Sequence, residues 1–401
     1  MRIGVYFPGL AKELGGGHTF EEEILGALGR LQSAGSTRHQ FVAFRDGALP
    51  RDCPLEQVSL RPLRLNSLGA KLRQCYREVM LPLVRQRPLP GMRDPVERLL
   101  HRHGVEVMYY PTERPLTLER PFFITVWDLQ HRLQPYFPEV SAHGAWQARE
   151  TKFGQSLRRA AGVITGTQAG KAEIERFFQI APERIRLLPH PTPSFALRPP
   201  PVDVAAVLAR HGVRPPYLFY PGQFWAHKNH VGLLKALHGL RTAHGLPLTA
   251  VFVGSDQGNQ AHVRAVAAEL GLTAAVHFLG FVSREDLVAL YRGAFALLYL
   301  TYFGPENLPP LEAFALGCPV VASDVPGSEE QLGDAAVRVK PGDGAAVIQA
   351  VKALYDEPAR RTELIERGKL RAYRFTGDDF ARRLLEAFDE FATLRRCWGA
   401  A

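Results

Sequence analysis

Short apolar runs punctuate the first half of the chain: RIGVYF (Arg2–Phe7), HQFVAF (His39–Phe44), VEVMYY (Val105–Tyr110), FFITVW (Phe122–Trp127) and AGVITG (Ala161–Gly166). Each ends in a polar or glycine-bearing loop, the pattern of parallel strands buried on both faces, with functional loops at their carboxyl ends. Phe20, Ile24, Leu25, Leu28 and Leu31 keep helical spacing and predict a helix from about Thr19, entered through Gly15, Gly16 and Gly17. The proline-rich LPHPTPSFALRPPPVD (Leu188–Asp203) cannot continue a helix or a central strand, since proline lacks a donor and fixes φ, and it reads as an interdomain hinge. The alternation then restarts with YLFYPG, NHVGLLKALHGL, LTAVFVGS, a helix around Ala261–Leu270, VHFLGF, a helix at Ser283–Tyr291, FALLYL, a helix containing Glu312, PVVASD and AAVRVKP. Six strands alternating with helices predict a doubly wound parallel sheet. In the last segment Phe380, Leu384, Leu385, Phe388 and Phe391 share one helical face, which needs a groove to cover.

At 401 residues the chain is too long for one ordinary α/β core and suits two domains. The expected division is 1–195, 196–375 and a terminal helix in 376–401 that returns to the first domain. An apolar content of 46% with 22% charged residues is that of a folded soluble protein, and no apolar run approaches the roughly 18 residues of a membrane span. The amino terminus lacks the pattern of a signal peptide, so a cytoplasmic location is expected. Cys53, Cys75, Cys318 and Cys397 are widely spaced, which argues against a zinc site or disulfide framework and for free buried thiols.

Charge changes the picture of the first domain. Residues 1–200 hold 28 Lys/Arg against 19 Asp/Glu, whereas residues 201–401 hold 21 of each, so the net +9 belongs to the first half. It is densest from Arg61 to Arg102, at +7. Such a segment can meet the anionic inner face of a membrane or a pyrophosphate-linked acceptor, or can be a solvated face. No nucleic-acid-binding motif accompanies it, and nucleic acid is not expected as a partner. Within it Leu68, Leu72, Cys75, Tyr76 and Val79 form an apolar face, read as core-facing, that ends at Pro82.

The candidate chemistry lies in FALLYLTYFGPENLPPLEAFALGCPVVASD (Phe295–Asp324), an apolar strand, a Gly/Pro-rich loop, a helix start and a second strand in one βαβ unit. The backbone of Gly304, Pro305, Glu306, Asn307 and Leu308, through its N–H groups, is expected to face phosphate and sugar, as at other helix starts. Glu312 is expected in the first turn of that helix, its carboxylate accepting from sugar hydroxyls or, on the plainer reading, capping the helix. Glu329 and Glu330 read equally as a solvated pair or as part of the site.

Several of these stretches resemble the retaining glycosyltransferases of the GT-B fold, in particular glycosyltransferase family 4, most closely over Tyr217–Asp343 and more weakly over Thr125–Pro191. In PGQFWAHKNH, Gly222 precedes Gln223, which stands where the family has an arginine, and Lys228 matches the family's lysine on the donor diphosphate. Glu312 matches the family's ribose-binding second glutamate, while Gly304 stands eight residues before it in place of the first. In TVWDLQHRL, Trp127 replaces a histidine that faces the transferred sugar, and Asp128, Leu129, Gln130 and His131 match the remainder of that family segment. Gly16 and Gly17 match a glycine turn beside the donor phosphates and the acceptor.

The resemblance implies two Rossmann-like domains facing a central cleft, with the terminal helix crossing back. It further implies a retaining hexosyltransferase that moves sugar from a nucleoside-diphosphate sugar to a glycan or lipid-linked acceptor, in cell-surface polysaccharide or glycolipid synthesis. Asp128, His131 and Glu312 are the catalytic candidates. No cofactor or metal is expected, since no D-x-D motif is present. The three departures at Gln223, Trp127 and Gly304 keep two alternatives open: a GT-B-like nucleotide or glycan binder without transfer, and another GT-B enzyme such as a phosphorylase or epimerase.

Overall fold

The computed structural model of the chain describes residues 1–11, 15–46, 53–61 and 94–398. Most of the basic segment from Arg61 to Arg102, with Leu68, Leu72, Cys75, Tyr76, Val79 and Pro82, lies outside the described residues.

Two parallel sheets organise the described chain. The first contains β1 (Arg2–Phe7), β2 (Gln40–Arg45), β3 (Glu56–Ser59), β4 (Val107–Tyr110), β5 (Phe122–Thr125), β6 (Gly162–Thr165) and β7 (Ile185–Leu187), in the order β3-β2-β1-β4-β5-β6-β7. The second contains β8 (Tyr217–Pro221), β9 (Thr249–Val253), β10 (Val276–Phe278), β11 (Ala296–Tyr299), β12 (Val320–Ser323) and β13 (Ala336–Val339), in the order β10-β9-β8-β11-β12-β13. The central strands β4, β5, β6, β8, β11 and β12 are buried along their whole length. That burial is the physical origin of their unbroken apolar runs.

The proline-rich connector carries one short helical turn, Ser194–Leu197, and is tied to the returning chain by the Thr192 N–H, which donates to Phe375 O at 3.0 Å. Ser194 N–H donates to the buried Glu23 of the helix Gly16–Ser33 at 2.7 Å. The terminal helix Gly377–Arg395 starts in a capping box, Thr376 with Asp379, and lays Phe380, Leu384 and Phe388 into the first domain's core beside Ile24, Leu28 and Phe123. The apolar stripe read from the sequence therefore finds its groove on the opposite domain. Of the described cysteines only Cys318 is buried; Cys53 is half-buried and Cys397 exposed, which corrects the expectation of buried thiols throughout.

Candidate functional site

Strand order reverses between β1 and β4 in one sheet and between β8 and β11 in the other. Diverging connections at such a point leave a crevice at the carboxyl ends of the strands. The two crevices meet in a cavity of about 370 Å³, lined by the segments after β1, β5, β7, β8, β9, β10 and β11.

On the second-domain wall, the loop after β8 is pinned by Gly222 N–H to Val253 O (2.7 Å) and Phe224 N–H to Ser255 O (3.1 Å). It ends in a helical turn, Ala226–Lys228, that presents the lysine. Lys228 Nζ donates to Tyr299 Oη at 2.8 Å and to Asn307 Oδ1 at 3.2 Å, both neutral oxygens. No carboxylate among the described residues forms an ion pair with it. Gln223, where the family pattern has an arginine, lines the cavity but accepts from Trp225 Nε1 at 2.8 Å.

Glu312 lines the same cavity and is 7% exposed. The helix runs Leu308–Ala315, so Glu312 sits in its second turn and the cap position belongs to Asn307; the expectation of a first-turn or capping carboxylate is corrected. Burial pushes the Glu312 carboxyl up to about 7 despite the Tyr291 hydroxyl, which donates to Oε2 at 2.7 Å. Tyr291 comes from the preceding helix, Arg284–Gly293, and carried no motif that would single it out.

The loop Gly304–Leu308 lines the cavity but offers fewer donors than expected. Pro305 has no N–H, and Asn307 N–H is taken by Gln331 Oε1 at 3.0 Å. The groups left to meet a ligand are the N–H of Gly304, Glu306 and Leu308. Gly304, at φ 136°, holds a backbone conformation that only glycine adopts readily. Glu306, expected among the donor ligands, turns its carboxyl to the first domain, where Oε1 accepts from His190 N–H at 2.6 Å.

The first-domain wall holds Gly16, Gly17, Trp127, Asp128 and Gln130. A side chain at Gly17 would press on Leu10 and on the Trp127 ring, so the glycine lets the turn pack closely against the tryptophan at the cavity wall. Asp128 accepts from Arg149 Nη2 at 2.6 Å and from Gln130 N–H at 2.9 Å. Burial pushes its carboxyl up, and the Arg149 guanidinium with the Gln130 N–H more than offsets this, so Asp128 stays below the usual range and ionised.

His131, the other first-domain candidate, does not reach the cavity. Its side chain is fully buried, stacked on Phe153, with Arg149 Nε donating to Nδ1 at 3.2 Å and Nε2 facing Glu150 at 2.8 Å. That network places the proton on Nε2, and burial with the Arg149 charge holds the ring below its ordinary pKa. His131 therefore braces the Asp128–Arg149 pair from behind, which corrects the expectation of a catalytic His131. Glu330, read as solvated or site-lining, accepts from Gln168 N–H (2.8 Å) and Ala169 N–H (3.3 Å) across the cleft. His227 lines the cavity beside Lys228, paired with Glu139 of the first domain. Among the described residues no three His, Cys, Asp or Glu side chains gather as metal ligands.

Residues 209–371 match the family described as Glycosyl transferases group 1. The chain is similar to the O-antigen chain mannosyltransferase B of Escherichia coli, 27% identical over 255 residues that cover 63% of this chain and 66% of that protein, just under two thirds of its length. Among solved structures it resembles Anabaena HepE in complex with UDP-glucose (TM-score 0.68, 17% identity, 97% of this chain and 100% of that one). It also resembles WaaG, a glycosyltransferase involved in lipopolysaccharide biosynthesis (TM-score 0.68, 16% identity, 96% and 99%). The fold is GT-B, and the family match lies within its second domain.

Proposed function

We propose that this GT-B protein, whose second domain matches the group 1 glycosyl transferases, moves a sugar from a nucleoside-diphosphate sugar to an acceptor hydroxyl with retention, in the manner of family 4. The observation that carries the reading is one cavity in which Lys228, an ammonium without an ion pair among the described residues, and a buried carboxyl, Glu312, both come from the second domain. A buried carboxyl held by one hydroxyl and a lysine without a counter-charge are each costly without a ligand to satisfy them. A nucleoside diphosphate supplies both partners, phosphate oxygens for Lys228 and ribose hydroxyls for Glu312.

The base would lie at the apolar end formed by Phe281, Val282 and Leu287. Lys228 would hold the departing diphosphate as its charge develops, the step where fixed positive charge in a closed site has most effect. Asp128, ionised and fixed by Arg149, is the first-domain carboxylate of the cavity lining and would orient the acceptor hydroxyl. Screening UDP-, GDP-, ADP- and dTDP-sugars by thermal shift, then assaying transfer and hydrolysis from those that bind, tests the reading. Binding without turnover would favour a non-catalytic nucleotide binder, an alternative motivated by Gln223, Trp127 and Gly304; turnover that requires inorganic phosphate would favour a phosphorylase.

The raised Glu312 carboxyl gives a pH-dependent expectation. Ribose hydroxyls donate to the carboxylate form, so binding favours ionised Glu312 and releases its proton when the pH lies near or below about 7. Affinity should rise with pH through that range and level off above it. Calorimetry in buffers of different ionisation enthalpy should detect proton release in the native protein and less in Glu312→Gln, the difference cancelling the titration of the phosphate itself. Equal release from both proteins would remove Glu312 from the site.

For the acceptor we propose a glycan or lipid-linked glycan of cell-surface polysaccharide synthesis; the matched mannosyltransferase is named for the O-antigen chain. No described helix is long and apolar enough to cross a membrane. If the basic first domain meets an anionic bilayer, sedimentation with vesicles should rise with anionic lipid and fall between low and physiological salt, because the attraction is screened over about 8–10 Å. Equal partitioning to neutral and anionic vesicles would overturn that contact.

A further inference from the structure

The Glu306 carboxyl is 5% exposed and reaches across the cleft from its own domain to Gly166, in the turn that follows β6, and to His190, in the segment that follows β7. Its Oε1 accepts from His190 N–H at 2.6 Å and its Oε2 stands 3.9 Å from His190 Nε2. The floor of the slot is Gly166. The three atoms closest to a methyl placed there all belong to the Glu306 carboxyl, and the methyl would overlap them. Gly166 is not among the glycines with positive φ, so its backbone tolerates alanine, and the missing side chain is required by this contact.

A second carboxylate from the same side engages the same turn. Glu330, in the short helix Ser328–Leu332, accepts from Gln168 and Ala169 N–H at the start of the helix Gln168–Phe178, whose positive end favours it. The two acids are linked on their own domain: Gln331, next to Glu330, holds Asn307 N–H, next to Glu306. Burial pushes Glu306 up to about 8, the cost expected for a carboxyl drawn out of water into a closed interface.

We propose that Glu306 and Glu330 form a clasp that closes the two domains over the cavity and, through Asn307, sets the Gly304–Leu308 loop and Lys228 in their working positions. Asn307 Oδ1 is the shared acceptor of Lys228 Nζ and Tyr299 Oη, so the clasp reaches the proposed diphosphate site through one residue. Glu306 is a positioning residue: its carboxyl touches the other domain and not the donor. This inference rests on the proposed transferase reading for its kinetic consequence, but the contact itself is independent of it.

Of the variants that test the slot, Gly166→Ala leaves the donor-side loop untouched. Gly166→Ala, Glu306→Ala, the double variant and Glu306→Gln are compared with the native chain for turnover, donor KM and, without any ligand, radius of gyration by small-angle scattering. Gly166→Ala and Glu306→Ala are each expected to lower kcat about tenfold, to change KM far less, and to raise the radius of gyration in the free protein. Truncating Glu306 vacates the space that the methyl of Gly166→Ala fills, so the double variant should lose about tenfold and not the roughly hundredfold of two independent losses. Glu306→Gln, which keeps the shape, should restore most of the turnover.

Losses that multiply in the double variant, or a Gly166→Ala protein with native kcat and native radius, would overturn the clasp. If no nucleoside diphosphate binds and no sugar is transferred, the functional proposal fails. The scattering comparison of native and Gly166→Ala chains still decides the clasp, with unchanged radii counting against it.

Discussion

Replacing Phe388 with alanine is expected to destabilise the first domain by about 3–5 kcal/mol, the range for deleting a fully buried aromatic ring. Phe388 is 0% exposed, and its ring meets those of His39, Phe41, Tyr109 and Phe123 at centroid distances of 6.2, 6.2, 6.2 and 5.0 Å. These neighbours come from strands or strand ends of the first sheet, whereas Phe388 arrives on the last helix of the chain. The cavity left behind cannot collapse easily, since it is walled by strands that are hydrogen-bonded to one another. Calorimetry should show the first domain's transition shifted down and that of the second domain unmoved, with nucleoside-diphosphate binding retained because the proposed donor wall is untouched. A loss below about 1 kcal/mol would mean that the terminal helix contributes little to the first domain's core.

That helix was legible in the sequence because its apolar stripe is long and periodic and had no other element to cover it. The central strands were legible for a related reason: burial on both faces leaves no polar position to interrupt the run. The edge strands β3 and β7 were missed. Glu56–Ser59 has one buried residue and Ile185–Leu187 has three residues in all, so neither carries enough apolar sequence to be distinguished from a loop. The helix at Gly16–Ser33 starts three residues before the predicted Thr19, since its glycines enter the helix rather than the loop.

The site divides along the same physical line. Lys228, Glu312 and the Gly304–Leu308 loop were readable because each sits in a local pattern of strand, turn and helix start. Their partners were not, because they are fixed only by the fold: Tyr291 lies 21 residues from Glu312, Tyr299 lies 71 from Lys228, and His190 lies 116 from Glu306. His131 shows the converse. A histidine in a matching segment looks catalytic until Arg149 and Glu150, 18 and 19 residues away, occupy both of its nitrogens. The local pattern identifies which residues stand at the cleft; pairing decides which of them remain available to a ligand.

By that criterion Lys228→Ala should have the largest effect on function. Lys228 is the one lysine or arginine among the described residues lining the cavity, since the position that would supply a second cation is Gln223. The two histidines there do not replace it. Burial holds His190 down to about 4, and burial also lowers His227 against the opposing pull of Glu139. A bound diphosphate would therefore meet a single fixed charge, held in place by Tyr299 and Asn307. Removing it should weaken binding of the bare nucleoside diphosphate by about 1.5–3 kcal/mol, the range for a charge-assisted hydrogen bond. Turnover should fall further, by about 10²–10³-fold, because the lysine's interaction strengthens as charge develops on the departing phosphate. Melting temperature should hold or rise slightly, since an ammonium without an ion pair contributes little to the unliganded fold. Lys228→Arg should recover part of the affinity but less of the rate, as its planar fork cannot reproduce the point charge at the same position. Titration calorimetry with the bare diphosphate and a transfer assay measure the two losses separately. Unchanged diphosphate affinity in Lys228→Ala would place the donor phosphates elsewhere in the cleft.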